Sequence, residues 1–233
     1  MLGMSILFSE MRPERPWEDR FNHWYDTEHI PLRMQVKGFE SAQRYRNAED
    51  DNYLAVYELA SLAVFSTPEF QVIKAKPSET TAWMLANVKG FTRYLGDQMM
   101  GRGDQSGDAL DAPVLLAVLL NVPQASIHDF DNWFEQDHMP NLLRNPDCRM
   151  IRHFTIVSGE PHQFNRLALH YLASANVMTS QRREMAESSL WRDDGAARWI
   201  EEGREMTFIK HGARHIAHSG VAREATVDGD QRR

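Results

Sequence analysis

Apolar and polar positions alternate along this chain in two similar rounds. Met4 to Ser9 is a short apolar run that reads as a strand. Trp17 to about His29 places Phe21, Trp24 and Tyr25 at helical spacing, and Pro31 disfavours helix at the residue before it, so the helix should stop near His29. Ser41–Arg46 and Tyr53–Leu59 read as two strands around the polar turn 47–52. Leu62–Lys74 reads as a second helix restarted near Pro68, and Val88–Leu95 as a closing strand. The order is βαββαβ. The second round gives a strand at Val114–Leu120, then a helix opened by a capping box of Ser126 and Asp129. A hairpin of Met150–Val157 and Arg166–Leu172 follows, then a helix at Met178–Ala186 and a last strand at Met206–Lys210.

The two rounds match residue by residue. Phe21–Pro31 reads FNHWYDTEHIP and Phe130–Pro140 reads FDNWFEQDHMP, an offset of 109 residues. Asn52–Ser61 (NYLAVYELAS) and Asn165–Ser174 (NRLALHYLAS) agree at six of ten positions, at an offset of 113. Two collinear matches point to a tandem duplication. The expected organisation is a first α+β repeat over 1–96, a Gly/Asp-rich linker over 97–112, a second repeat over 113–218 and a disordered tail over 219–233. A βαββαβ unit covers one face of its sheet and leaves the other bare. Two such sheets, face to face, bury the bare faces and can close into a barrel.

Composition narrows the function. Hydrophobic residues are 42% and charged residues 25%, ordinary values for a globular protein. A net charge of -7 argues against nucleic acid or anionic lipid as a partner. Cys148 is the single cysteine, which excludes an internal disulfide and a cysteine-based zinc site and fits a reducing cytoplasm. No signal peptide and no membrane-spanning run is visible, so a soluble cytoplasmic protein is expected. Neither a phosphate loop nor a nucleophile elbow occurs, which argues against nucleotide cofactors and serine hydrolysis. No metal ligand set stands out. His211, His215 and His218 can be a metal group or a solvated segment.

The helix end carries the candidate chemistry. On a wheel of 100° per residue, Phe21, Trp24, Tyr25 and Glu28 share one face, His29 lies at its edge, and Asp26 points away. A carboxylate in an apolar stripe at a helix C-terminus needs a partner, either Arg33, Arg44 or a neighbouring histidine. The second copy sets Asp137 and His138 beside Trp133 and Phe134. One reading is a His–carboxylate pair for proton transfer, Glu28 with His29 and Asp137 with His138; the other is a tie between helix end and loop. On the matched strands Tyr57 becomes His170, two proton-transfer groups at one position, or two rings that simply fill the core. Tyr45 and His153 show a similar exchange if the alignment holds there without slipping by one. Arg44 and Arg152 lie in strands and either hold an anion or sit on an exposed face.

A helix ending in Trp-Tyr-x-x-Glu-His-Ile-Pro, followed by Gly38, Phe39 and a strand bearing Tyr45, resembles the dimeric α+β barrel superfamily, in particular its EthD-like branch. The resemblance spans 4–95 and 113–216. It implies two ferredoxin-like repeats forming an intrachain dimeric α+β barrel, whose sheet faces enclose an apolar cavity for a small aromatic or polyketide-like compound. A possible homodimer remains open. The superfamily includes cofactor-free monooxygenases, lactone isomerases, dehydratases, decarboxylases, cyclases and haem enzymes. The leading expectation is a cofactor-independent lyase or isomerase. Its acid–base groups would come from His29, Glu28, His170, Tyr57, His138 and Asp137. Trp24, Tyr25, Arg44, Tyr45, Trp133, Phe134, Arg152 and His153 would contact the substrate. The alternatives are a cofactor-free monooxygenase, or a non-catalytic protein that binds a small ligand or haem through a strand or helix histidine.

Overall fold

The computed structural model describes residues 2–176 and 203–217. The expected helix at Met178–Ala186 and the tail over 219–233 lie outside these residues. The first strand, β1, is Ser5–Met11. A helix follows in three pieces: α1 (Glu18–Trp24), a π-helical segment (Tyr25–His29) and α2 (Ile30–Met34). Then come β2 (Phe39–Asn47), β3 (Tyr53–Leu59), α3 (Pro68–Ala75), α4 (Glu79–Asn87) and β4 (Arg93–Gly103). The chain continues with β5 (Val114–Leu120), α5 (Ile127–Trp133), a second π segment (Phe134–His138) and α6 (Met139–Leu142). It closes with β6 (Cys148–Glu160), β7 (Arg166–Leu172) and β8 (Arg204–Ile216).

All eight strands join one closed antiparallel barrel in the order β1-β3-β2-β8-β5-β7-β6-β4, and β4 returns to β1. The first four strands are ordered β4-β1-β3-β2 and the last four β8-β5-β7-β6. The pairs β2–β8 and β4–β6 join the two sets. The fold is therefore α+β, a closed barrel with helices on its outside.

Every residue of β1, β3 and β7 is buried, because one face of each strand points into the barrel and the other lies under helices. The interior holds Ile6, Phe8, Leu54, Val56, Tyr94, Leu115, Met150, Phe154, Leu167, Tyr171 and Phe208. Each such large side chain contributes about 1.5–3 kcal/mol by leaving water. The expected greasy chamber between the sheet faces is occupied by these side chains; among the described residues a space of about 10 Å³ lies beside Ser41, Gln43 and Glu58. An eight-stranded barrel is just wide enough for its own side chains.

Other expectations need correction. The first helix does not stop near His29. The Ile30 amide reaches back five residues to the Tyr25 carbonyl, and the chain runs on through Pro31 to Met34. The wider π turn eases the clash a proline ring causes in an α-helix. The Met139 amide does the same with Phe134, ahead of Pro140. Ser126 forms no capping bond, because it sits in a 3-10 turn with helical rather than extended backbone. The closing strand is Arg93–Gly103 rather than Val88–Leu95, and it occupies part of the segment read as linker. Gly103 ends that strand at φ +93°, where an added Cβ would lie 2.3 Å from the Arg149 carbonyl oxygen. Among the described residues, no helix is long and apolar enough to cross a membrane.

Candidate functional site

A cavity of about 350 Å³ lies outside the barrel, between the outer faces of β1, β3 and β4 and the helices that cover them. Leu7, Ser9 and Met11 come from β1, Tyr57 from β3, and Tyr25, His29 and Arg33 from the π-bulged helix. Phe65, Phe70, Gln71, Lys74 and Leu85 form the opposite wall, and Phe91, Arg93 and Glu160 the mouth. The sheet supplies a face of period two and the helix a bulge that turns His29 and Arg33 toward it.

His29 is 4% exposed and wedged against Trp24 and Tyr25, at ring separations of 4.3 and 4.8 Å. Its Nδ1 has no hydrogen-bond partner. Burial, then the positive charges of Arg33 and Arg44, hold its pKa well below the usual 6.5, so the ring is neutral near neutral pH. Burial raises the phenols of Tyr25 and Tyr57 above 10, Tyr57 the further because the Tyr25 phenol adds to the effect. The Tyr57 hydroxyl lies buried beside the Tyr25 phenol. The cavity thus places an unprotonated imidazole beside two protonated phenols. Such a set can take a proton from carbon or oxygen and donate a hydrogen bond to the anion left behind.

Several expected contacts fall elsewhere. Glu28 does not pair with a histidine or an arginine. It accepts hydrogen bonds from Ser78 and from Thr81 (2.8 Å), and so ties the helix to the start of α4. Trp24 joins the same tie by donating its indole N–H to Thr81 at 3.0 Å. Asp26, expected to point away, receives the Arg44 guanidinium at 2.8 Å. The wheel fails here because a π turn holds more residues than an α turn. Arg44 also donates to Asn22 and lies 4.6 Å over the Tyr25 ring, which makes it a clamp between helix and sheet rather than an exposed strand residue. Tyr45 and Arg152 point into the barrel, away from the cavity.

In the first half Arg44 faces Ala55 across its hairpin, and in the second His153 faces Ala168. Ala55 and Ala168 occupy the same place in the matched blocks, so the counterpart of His153 is Arg44, not Tyr45. His153 lies 3.8 Å from Asp131 and 3.7 Å from Glu135, and burial pushes its pKa down to about 4. Phe134 is 4.5 Å from His153 and 5.0 Å from His138, which also meets Trp133 at 4.8 Å. His170, the counterpart of Tyr57, has its ring 6.4 Å from that of His138 and Nδ1 3.3 Å from the Leu116 carbonyl oxygen. Asp137 is exposed on the helix surface. Cys148 is buried, its thiol raised to about 12. Among the described residues no three His, Cys, Asp or Glu side chains gather as a metal site; His218 lies outside them.

Sequence reasoning missed Ser9, Phe65, Phe70, Lys74, Arg93 and Glu160 as cavity residues. Phe91 and Arg93, two apart beside a glycine, fell within the expected closing strand, but α4, whose Leu85 lines the opposite wall, was not anticipated.

Eight antiparallel strands closed in this order, with helices packed outside, define the dimeric α+β barrel fold, here completed by one chain. Solved structures of that fold match almost end to end. An anthrone oxidase-like protein gives a TM-score of 0.64 at 12% identity, over 94% of this chain and 95% of that one. A proposed monooxygenase from Fusobacterium nucleatum gives 0.62 at 9%, over 93% and 96%. A mutant chlorite dismutase from Candidatus Nitrospira defluvii, in complex with cyanide, gives 0.54 at 8%, over 89% and 90%. At these identities the likeness is one of fold. No family model and no curated protein sequence matches the chain. For a haem group the cavity does not fit: about 350 Å³ is near the lower end for ligand pockets, room for two or three fused rings rather than a tetrapyrrole.

Proposed function

We propose that the protein is a cofactor-independent acid–base enzyme for a small aromatic or polyketide-like compound, with its working site in the cavity under the first helix. The observation that carries this is the neutral, buried His29, its Nδ1 unpartnered, on the wall of a cavity that also holds the buried Tyr57 hydroxyl. His29 removes a proton next to a carbonyl or from a phenol. Tyr57 and Tyr25 donate to the enolate or phenolate oxygen. Phe65, Phe70 and Leu85 keep water away. Returning the proton elsewhere completes an isomerisation; expelling a neighbouring group completes an elimination. The two π-bulged helices and the equivalent strand orders support the tandem-duplication reading. On that reading the second half has diverged, with His153 in place of Arg44 and His170 in place of Tyr57.

A second reading, oxygenation, starts from the same enolate. Proteins of this fold include the anthrone oxidase-like protein and the proposed monooxygenase above. An electron-rich enolate can react with dioxygen without a cofactor.

The test is deuterium exchange followed by NMR. Under nitrogen, the protein should speed incorporation of deuterium into the methylene of an enolisable bicyclic ketone such as 2-tetralone. His29→Ala should lose about 10²–10⁴-fold of that rate. Exchange unaffected by His29→Ala would sink the reading. Oxygen uptake on admitting air separates oxygenase from isomerase or lyase.

A further inference from the structure

Beyond the acid–base pair, the cavity carries an unbalanced charge. Arg33 from α2, Lys74 from α3 and Arg93 from β4 all line it, against a single carboxylate, Glu160. Among the described residues, none of the three cations has a carboxylate within salt-bridge distance. Arg33 uses one N–H on the His29 carbonyl at 2.9 Å, which fixes its stem and leaves the rest of the fork for another partner. The Arg93 guanidinium carbon is 5.0 Å from the centre of the Phe65 ring, and Glu160 is its cross-strand neighbour on β6, beyond salt-bridge distance. Both guanidinium groups are half-buried, whereas Lys74 and Glu160 are exposed. A partly buried arginine without an anion is a poor stabilising device, since it loses hydration without gaining a partner. Two of them on one apolar cavity are a device for recognising an anion.

We propose that the substrate is an aromatic carboxylate, its rings held among Phe65, Phe70 and Leu85 and its acid group by Arg33 and Arg93. This deepens the functional reading above and rests on it for the identity of the cavity. Lys74 at the mouth adds long-range attraction, and Glu160 opposes it. Burial lowers the Arg93 pKa; the Glu160 carboxylate opposes that shift and Arg33 adds to it, so one carboxylate stands against two neighbouring cations.

Calorimetric titration with 1-hydroxy-2-naphthoic acid and with its methyl ester tests this on the full chain. The two probes share rings and hydroxyl and differ in the charge. The acid should bind about ten- to a hundredfold more tightly than the ester, the range for one or two charge-assisted hydrogen bonds. Arg93→Gln and Arg33→Gln should each remove most of that preference and leave ester binding nearly unchanged. Glu160→Gln should tighten acid binding. Arg93→Gln, whose guanidinium makes no bond to the backbone, keeps the test valid should Arg33→Gln unfold the helix end. Equal affinity for acid and ester overturns the anion assignment while leaving the cavity as a ligand site. An acid preference that survives both substitutions overturns it too, placing the anion elsewhere. If neither probe binds, the cavity is no aromatic site, and the functional reading falls with the proposal.

Discussion

On the proposed acid–base reading His29 and Tyr57 perform different parts of one proton transfer, and their titrations separate them. A base must be unprotonated. Since burial lowers the His29 pKa well below 6.5, kcat/KM should stay level through neutral pH and fall only on acidification well below 6.5. A phenolic donor must be protonated, and the Tyr57 pKa lies well above 10, so no alkaline limb should appear below that value. Tyr57→Phe should lower kcat with little change in KM; an unchanged kcat would remove Tyr57 from the chemistry. His153 supplies a stability prediction instead. Its folded pKa of about 4 lies below the unfolded value near 6.5, so the unfolded chain binds the extra proton between them. Its contribution is complete above pH 6.5 and is lost as pH falls toward 4, about 3 kcal/mol in all. Urea unfolding of His153→Leu should therefore show a shallower loss over that window. An identical slope would mean that His153 is charged when folded. His29, Tyr25 and Tyr57 were readable as candidates because a polar ring in an apolar stripe stands out at either period. Arg33 and Arg93 were not, because an arginine in sequence looks the same whether it faces water or a cavity.

At the level of elements, the bulged helix is the part that builds the site. A straight α-helix would not have brought His29 and Arg33 onto the sheet together with Arg44's grip on Asp26. Its end is pinned by Glu28, which takes hydrogen bonds from Ser78, the residue that caps α4, and from Thr81. α4 contributes Leu85 to the cavity wall, so Glu28 acts as a positioning residue. Glu28→Ala should cost about 1 kcal/mol of stability and raise KM more than it lowers kcat. Thermal melts and steady-state kinetics would check both; a drop confined to kcat would instead put Glu28 in the chemistry. Most elements were legible, since β3, β5 and β7 occupy the expected residues. The bulge was not. Nothing in side-chain periodicity marks one extra residue in a turn, and Pro31 pointed to a helix end. α4 was not anticipated, although Ser78 caps it ahead of a first-turn acid, Glu79.

For the whole molecule, closure depends on contacts that cross between the two sets of strands. Bare sheet faces made a barrel legible in the sequence. Its filled interior was not, because occupancy depends on how side-chain volumes fit a shape, and no alternation pattern reports that. One interior contact could not have been read at all. Arg152 on β6 donates to Glu58 on β3 at 2.6 Å, to Gln98 on β4 at 2.7 Å and to the Gly3 carbonyl at 2.8 Å, and Glu58 also accepts the Gly3 amide at 2.7 Å. Arg152 is 0% and Glu58 2% exposed, so each depends on the other for its charge. A buried pair of this kind need not stabilise the fold relative to apolar residues, yet removing one member strands the other. Glu58→Ala should therefore lose about 3–5 kcal/mol in urea unfolding. The double replacement Glu58→Met with Arg152→Met should lose less than that single one, because no charge is left without a partner. If the double replacement proves the more damaging, the pair is a net source of stability, and its role in holding the two sets of strands together is larger than desolvation arguments allow.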